Sequence, residues 1–196
     1  MLWRMSDGAL LLTGFEPFLD VVLNPSGEIA RRCDGRVVGG RRVVGRVLPV
    51  SVARVPAALA ALFEELRPQL IVGLGVQREP NFRFERRARL PLTAAKPDGD
   101  GRVPLETVGA MPAEEHTTDV DVEELVRELH ARGVSARVSD DAGGYVCEWA
   151  YVHLLRHARS AGCPALFVHV PKAAAMAIDD QEAVVVRVLE ALTRSR

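Results

Sequence analysis

A cysteine and a histidine in the second half of the chain are the residues best suited to nucleophilic catalysis. Cys147 follows Gly143 and Gly144 in "SDDAGGYVCEWAYVHLL", where a loop leads into a predicted helix. Free N–H groups in the first turn of a helix favour a negative charge, so this position predicts a thiol with a lowered pKa. On this stretch alone, a small apolar side chain packed against the sheet is an equally good interpretation.

His169 stands inside "PALFVHV", near the carboxyl end of a predicted buried strand. Alone it is better interpreted as a hydrogen-bonded core residue. If its strand neighbours the strand that leads to Cys147, the two residues lie at one edge of the sheet, and His169 can serve as the base for the thiol. A third group normally orients such a histidine. Spacing does not select it from 26 acidic residues, and Glu85 in "FRFERRARL" is one candidate.

The remaining cysteines and histidines carry weaker signals. There are three cysteines, Cys33, Cys147 and Cys163, which are widely spaced and form no CxxC pair. This pattern predicts neither a disulfide framework nor a zinc site, and it favours a reducing cytoplasm. His153 and His157 are four residues apart on a predicted helix, but no third ligand accompanies them. A solvated helix face is favoured over a metal site there.

The elements that position these residues alternate between strands and helices. Apolar runs predict strands at Ala9–Thr13, Arg41–Val50, Gln69–Val76, Val134–Ser139 and Pro164–Val170. Helical periodicity predicts helices after Asn24-Pro25-Ser26, after Ser51 as N-cap, from Asp121 to Gly133, from Tyr145 to Arg159, and from Asp179 to Leu192. This alternation indicates an α/β fold, a single α/β/α sandwich over residues 1–196 with a mostly parallel twisted sheet. Residues 77–118 lack a helical period and are predicted to form a long loop and hairpin insertion.

Composition excludes several classes of function. The chain is 48% hydrophobic and 26% charged, and 25 basic residues balance 26 acidic ones, so no basic surface for nucleic acid is indicated. Its apolar runs are too short for a membrane span. The first residues, "MLWRMSDGALLLTG", are interpreted as leading into a strand rather than as a signal peptide.

Three motifs, in order along the chain, resemble the pyroglutamyl peptidase I (pyrrolidone-carboxylate peptidase) family of cysteine peptidases. "TGFEPF" followed by "NPS" is similar to the N-terminal signature of that family. "DAGGYVCEWAY" resembles the segment around the family's nucleophile, and "FVHVP" the strand that carries its histidine. The resemblance covers essentially the whole chain and implies a phosphorylase/hydrolase-like α/β/α fold.

The resemblance also implies the site and the reaction. It makes Cys147 the nucleophile, His169 the general base and Glu85 the group that orients His169. The residues it assigns to the substrate pocket are Phe15, Phe18, Asn24, Val76, Tyr145 and Val146. It further implies removal of an N-terminal pyroglutamyl (5-oxoprolyl) residue from peptides without a metal or organic cofactor, in the cytoplasm, by a protein that can form dimers or tetramers.

The sequence departs from the family pattern at three places. After Glu85, the family's Ala-Ile-Asn is replaced by "ARL". Where many bacterial members carry Gly-Gln-Ala-Gly-Gly-Arg, this chain reads "GLGVQREPN", so the usual substrate-contacting Gln is replaced by Val76, or is Gln77 after a one-residue shift. An arginine of some members aligns with Ala95, which leaves Lys96 as its substitute. Two alternatives therefore accompany the peptidase hypothesis. One is a weakened member that binds pyroglutamyl groups as a regulatory protein, and the other is an enzyme of similar fold, such as a nucleoside phosphorylase.

Overall fold

The structure is a computed structural model that describes residues 8–18 and 23–194; the first seven residues, which are predicted to precede the first strand, lie outside the described part. The strands are β1 (Leu10–Phe15), β2 (Val37–Val38), β3 (Arg41–Leu48), β4 (Leu70–Val76), β5 (Phe82–Glu85), β6 (Arg87–Leu90), β7 (Glu114–Thr117), β8 (Ala136–Ser139) and β9 (Ala165–Val170). The helices are α1 (Pro25–Cys33), α2 (Val55–Leu66), α3 (Pro104–Val108), α4 (Val122–His130), α5 (Val146–Ala161) and α6 (Ile178–Arg194).

Seven strands form the central sheet in the order β2-β3-β1-β4-β9-β5-β8. The four strands β3, β1, β4 and β9 are parallel to one another. β2 is antiparallel to β3, and β5 is antiparallel to β9 while pairing in parallel with β8. The carboxyl ends of β1, β4 and β9 therefore meet at one edge, where α/β sheets commonly hold their sites.

Helices cover both faces of this sheet. Successive side chains of a strand point to opposite faces, and along β9 Leu166 and Val168 pack with α1, α4 and α6, whereas Ala165 and Phe167 pack with α2 and α5. Both faces are apolar because each strand must fill two layers of core. The predicted α/β/α fold with a mostly parallel sheet is confirmed.

The helix starts show how local sequence sets the boundaries. Asn24 caps α1, where its side chain accepts a hydrogen bond from the N–H of Ser26, and Asp121 caps α4 by accepting from the N–H of Glu124. The predicted cap at Ser51 is one turn early. Its hydroxyl accepts from the N–H of Arg54 in a preceding turn, and α2 begins at Val55.

The segment 77–118 contains more regular structure than its composition indicates. β5 enters the central sheet, and β6 and β7 form a separate two-stranded antiparallel sheet. Residues 93–97 bond to Gly144 and Tyr145, just before α5. Within the described ranges, no helix is both long and apolar enough to cross a bilayer.

Candidate active site

Two of the predicted catalytic side chains lie next to each other on the α5 face of the sheet. His169 on β9 is 3% exposed and Glu85 on β5 is fully buried. The antiparallel register places Phe167 opposite Glu85, so Glu85 and His169 are diagonal neighbours on one face. This offset brings Oε1 of Glu85 to 2.7 Å from Nδ1 of His169.

Cys147 reaches the same place because α5 and β9 form one helix–strand unit. α5 has 16 residues and β9 has six, lengths of about 24 Å and about 20 Å. Leu154 lies over Gly73 and Cys147 over Gly75, so α5 runs in the direction opposite to β4 and β9. Its first turn therefore lies above the carboxyl end of β9, beside His169.

Gly75 of β4 leaves the space in which the thiol and the imidazole meet. It is the register partner of His169. A Cβ atom at Gly75 would lie 3.0 Å from Sγ of Cys147 and 3.0 Å from Nε2 of His169. Both reactive atoms thus border one small volume above this glycine, and the imidazole turns its Nε2 edge toward the thiol.

The expectation that the strand before Cys147 neighbours the strand of His169 is wrong. β5 lies between β8 and β9, and β8 runs antiparallel to β9. The carboxyl end of β8 is therefore not beside that of β9. Cys147 and His169 meet because α5 returns across the sheet before β9 begins.

The bond to Glu85 sets the tautomer of His169. An ionised carboxylate can only accept hydrogen bonds, so Nδ1 carries the proton and donates it to Oε1. Nε2 then keeps its lone pair on the side of Cys147. This is the form of imidazole that can accept a proton from the thiol.

Burial dominates the ionisation of both reactive groups. It raises the pKa of Cys147 to about 12, against the opposing influence of the positive charge on Lys96. It also lowers the pKa of His169, although Glu85 favours the charged ring. The helix-terminus expectation of a lowered thiol pKa is therefore not met, because loss of hydration outweighs the dipole, and the resting pair is a neutral thiol beside a neutral imidazole.

The loop before Cys147 is held by residues that sequence reasoning did not select. Gly144 has a φ of 60°, and a Cβ atom there would lie 2.1 Å from the hydroxyl of Thr93. The Gly144 carbonyl accepts hydrogen bonds from the N–H groups of Thr93 and Ala94. Glu148, in the first turn of α5, accepts from the N–H groups of Gly144 and Arg89 at 3.1 and 2.7 Å. The only sequence signal for Glu148 is its position in the acidic first turn of a helix.

Three aromatic residues from the pocket prediction lie in the layer of Cys147. Phe15, Phe18 and Tyr145 belong to the same apolar cluster as this cysteine, and the rings of Phe18 and Tyr145 are 6.2 Å apart. The Tyr145 hydroxyl donates to the carbonyl of Pro97 at 2.7 Å. This bond ties the Tyr145 ring to the 93–102 segment.

The other three predicted pocket residues have different surroundings. Val76 packs in the opposite layer with α1, α4 and α6, while Val146 is buried in the core of the Cys147 layer. Asn24 uses its side chain within its own segment, accepting from Ser26 and donating to the carbonyl of Glu16. These contacts tie the start of α1 to Glu16, the residue after Phe15.

Comparisons with known proteins give the family of this chain. The sequence model described as pyroglutamyl peptidase matches residues 9–194. The chain belongs to the pyroglutamyl peptidase family. It is 34% identical over 166 residues to the pyrrolidone-carboxylate peptidase of Thermococcus litoralis, which covers 83% of this chain and 76% of that protein. It is 37% identical over 168 residues to the enzyme of the same name from Pseudomonas fluorescens strain SBW25, covering 83% of this chain and 78% of that protein.

Solved structures of the family share the fold. The pyrrolidone carboxyl peptidase from Thermococcus litoralis superimposes with a TM-score of 0.86 at 28% identity, covering 96% of this chain and 94% of that one. A variant of the Pyrococcus furiosus enzyme gives a TM-score of 0.82 at 26% identity, covering 94% and 97% of the two chains. Family membership identifies this protein as a hydrolase, a cysteine peptidase that acts on pyroglutamyl residues.

Two of the departures from the family pattern, at Gln77 and Lys96, have clear positions in the structure. Gln77 is folded into its own loop, where its amide group donates to the carbonyl and side-chain oxygens of Asn81. Its Oε1 atom is buried without a partner among the described residues. Lys96 places Nζ 4.2 Å from the centre of the Tyr145 ring. Its positive charge lowers the pKa of Cys147, in opposition to burial.

His153 and His157 pack against aromatic rings, so the predicted solvated helix face is wrong. The His157 ring stacks on Phe63 at 3.8 Å, and the His153 ring stands edge-on to Trp149 at 4.5 Å. Burial lowers the pKa of both rings, that of His153 to about 4. Within residues 8–18 and 23–194, no group of three His, Cys, Asp or Glu side chains is arranged to hold a metal ion.

Proposed function

We propose that this protein removes N-terminal pyroglutamyl residues from peptides with a Cys147–His169–Glu85 triad. The observation that carries the proposal is the convergence of Sγ of Cys147 and Nε2 of His169 above Gly75, with Glu85 bonded to Nδ1 of the same imidazole. The thiol is beside the base, and the base is bonded to an orienting carboxylate. Nucleophilic acyl transfer requires these three groups in this order.

The reaction begins from the neutral thiol. As Sγ attacks the carbonyl carbon between the pyroglutamyl residue and the next amino acid, its proton passes to Nε2 of His169. When the tetrahedral intermediate collapses, His169 returns this proton to the leaving amine, and the pyroglutamyl group remains on Cys147 as a thioester. His169 then deprotonates a water molecule that attacks the thioester, which releases pyroglutamate and restores the thiol.

The developing oxyanion needs donors close to the thiol. The backbone N–H of Cys147 is in the first turn of α5, where N–H groups have no helical acceptor. Gly143 and Gly144 allow the chain to approach a bound carbonyl without a side chain in between. Such fixed backbone donors stabilise the intermediate without reorganising during the reaction.

Recognition of the pyroglutamyl ring requires an apolar pocket with few polar contacts. The ring has no charged amine, and Phe15, Phe18 and Tyr145 offer aromatic surface beside Cys147. The lactam N–H and C=O groups would bond to backbone groups at the end of β4 near Val76 and at the start of α5 near Val146. Asn24 supports the pocket by tying the start of α1 to Glu16, the residue after Phe15.

Hydrolysis of a pyroglutamyl amide, compared with its prolyl analogue, tests this function. We expect cleavage of the lactam substrate alone, loss of activity on thiol alkylation, and no change with a chelator. Cys147→Ala and Cys147→Ser should remove turnover, while Cys33→Ala, a matched change at the buried last residue of α1, should keep it. Full activity of Cys147→Ala would refute the proposed nucleophile. Binding of pyroglutamate without cleavage would favour the regulatory alternative.

A further inference from the structure

Arg83 lies in the sheet row that contains the proposed base. The pairing of β4, β9, β5 and β8 places Gly75, His169, Arg83 and Arg137 side by side across four strands. Directly opposed residues on neighbouring strands point to the same face. Arg83 therefore projects on the α5 side of the sheet, between His169 and the edge strand.

The Arg83 guanidinium contacts the bond between His169 and Glu85. Its Nε donates to Oε1 of Glu85 at 2.6 Å, the same oxygen that accepts from Nδ1 of His169. Its Nη2 lies 3.3 Å from Nδ1 of His169. Because Nδ1 already carries the proton given to Glu85, this second contact is an approach of two donors rather than a hydrogen bond.

The position of this arginine is enclosed enough for its charge to matter. The Arg83 side chain is 17% exposed and that of Glu85 is fully buried. Burial around a charge reduces the screening by water, so the pair interacts more strongly than a surface pair. Oε2 of Glu85 has no partner among the described residues, which leaves Oε1 as the point at which both Arg83 and His169 hold the carboxylate.

The charged groups that face His169 act in opposite directions. Glu85 on β5 and Asp141 in the loop before α5 favour the protonated ring, whereas Arg83 on β5 disfavours it. From α5, the His169 ring faces the thiol of Cys147, and from β4 it faces Gly75, which has no side chain. Arg83 is therefore the cation that opposes protonation of the imidazole within this group.

We propose that Arg83 is a positioning residue, whose guanidinium holds the Glu85 carboxylate against Nδ1 of His169 and keeps a permanent positive charge beside the imidazole. The proposal rests on the proposed roles of Cys147, His169 and Glu85. Arg83 lets Glu85 orient the histidine without driving it into the protonated form, so the base remains available in mildly acidic solution.

The test substitutes methionine at Arg83 and, as a control, at Arg137, its neighbour in the row. Arg83→Met keeps an unbranched apolar side chain but removes the charge. Without it, the thiol–imidazole pair retains its extra proton more tightly, whichever of the two groups carries that proton. In the pH profile of kcat/KM, we expect the acid limb, where activity falls as the pH decreases, to move to higher pH by about one unit. This is the effect of one close charge. At pH values above the acid limb, the kcat of Arg83→Met should be within about tenfold of that of the parent.

Arg137→Met is the matched control. Arg137 lies one strand further along the row, is more exposed, and pairs with Glu79. Its ion pair is with Glu79 and not with His169 or Glu85, so its loss should leave the acid limb within about 0.3 pH unit of the parent. An equal displacement in both variants would mean that general charge, not the Arg83 contact, sets the limb, and would overturn the proposal.

A second readout does not depend on peptidase activity. The rate at which iodoacetamide alkylates Cys147, followed by mass spectrometry of the Cys147 peptide, should show the same displacement of its acid limb in Arg83→Met. An inactive parent enzyme would refute the proposed function, while the alkylation profiles would still decide the role of Arg83. An unmoved alkylation limb in Arg83→Met would overturn the inference about Arg83 alone.

Arg83→Lys separates the charge from the forked contact. Lysine keeps the positive charge but cannot bond through both nitrogens, so we expect an unmoved acid limb and a lower kcat. A limb displaced by about one unit in this variant would contradict the proposed role of the charge. A uniform loss of rate in Arg83→Met without displacement, or failure of both variants to fold when Arg137→Met folds, would assign Arg83 to structural support and overturn the proposal.

Discussion

Replacing Gly75 with alanine should separate the thiol from its base while leaving the fold intact. A Cβ atom at this position would lie 2.9 Å from Cδ2 and 3.0 Å from Nε2 of His169, and 3.0 Å from Sγ of Cys147. Carbon atoms in favourable contact are about 3.5–4.0 Å apart, and sulfur needs slightly more space. The methyl group must therefore displace these atoms by about 0.5–1 Å.

The imidazole has little freedom to move. Glu85 bonds to its Nδ1 atom, and Phe167 packs 5.1 Å from its ring centre. The thiol of Cys147 must then rotate away from Nε2. A misplacement of about 1 Å at reacting groups costs on the order of a hundredfold in rate, so we expect kcat to fall by about that factor.

Stability should change much less than activity. Gly75 does not have a positive φ, so alanine fits its backbone, and the loss of glycine freedom in the unfolded chain stabilises the variant by about 0.4–1 kcal/mol. This offsets part of the steric cost at the edge of the core. The free energy of unfolding in urea should stay within about 1 kcal/mol of the parent.

Gly73→Ala is the matched control, two residues earlier on the same face of β4. Its Cβ atom would lie 2.6 Å from Phe167 and 2.8 Å from Leu154, which are core side chains and not the reactive groups themselves. We expect it to destabilise the fold by about 1–3 kcal/mol while kcat per folded molecule stays close to the parent. Near-parental kcat in Gly75→Ala, measured on a pyroglutamyl amide, would refute the geometry inferred for Cys147 and His169.

Three further predictions address the roles of single side chains. Glu85→Gln should lower kcat less than Cys147→Ala does, because an orienting group is less demanding than the nucleophile; equal abolition, with a loss of stability in urea, would show that Glu85 also supports the fold. Lys96→Met should slow alkylation of Cys147 at neutral pH by about tenfold, since the Lys96 charge favours the thiolate; an unchanged rate would remove Lys96 from the site. Burial lowers the pKa of His153 to about 4, so the unfolded chain binds its proton first as the pH falls, and stability should decrease between about pH 6.5 and pH 4. His153→Phe should remove about 3 kcal/mol of that decrease in urea unfolding, and the same decrease in the variant would rule His153 out as its source.

Much of the fold could be predicted from the periodicity of the chain. The apolar runs at β4 and β9 and the helical pattern of α4 have strong local signals, because each element buries a continuous face or stripe. β5 could not be predicted in this way. It has four residues, alternates Phe82 and Phe84 with Arg83 and Glu85, and lies in a segment rich in charges. Its place between β8 and β9 depends on pairing with strands that are distant in the sequence.

The sequence by itself determined the chemical types at the site and their order along the chain. Cys147 after a Gly-Gly turn and His169 near the end of a buried strand carry local signals, and the motifs around them identified the family. Glycine conformations, helix starts and buried strands depend on a few adjacent residues, so they can be recognised without the fold.

Only the tertiary structure decided how these groups act on one another. The order β4-β9-β5-β8 places Gly75, His169 and Arg83 in one row, and the return of α5 brings Cys147 above it. Burial then reverses the effect expected of a helix terminus and keeps the Cys147 thiol protonated. Desolvation and charge–charge interactions depend on distances between elements far apart in the chain, and sequence spacing contains no measure of those distances.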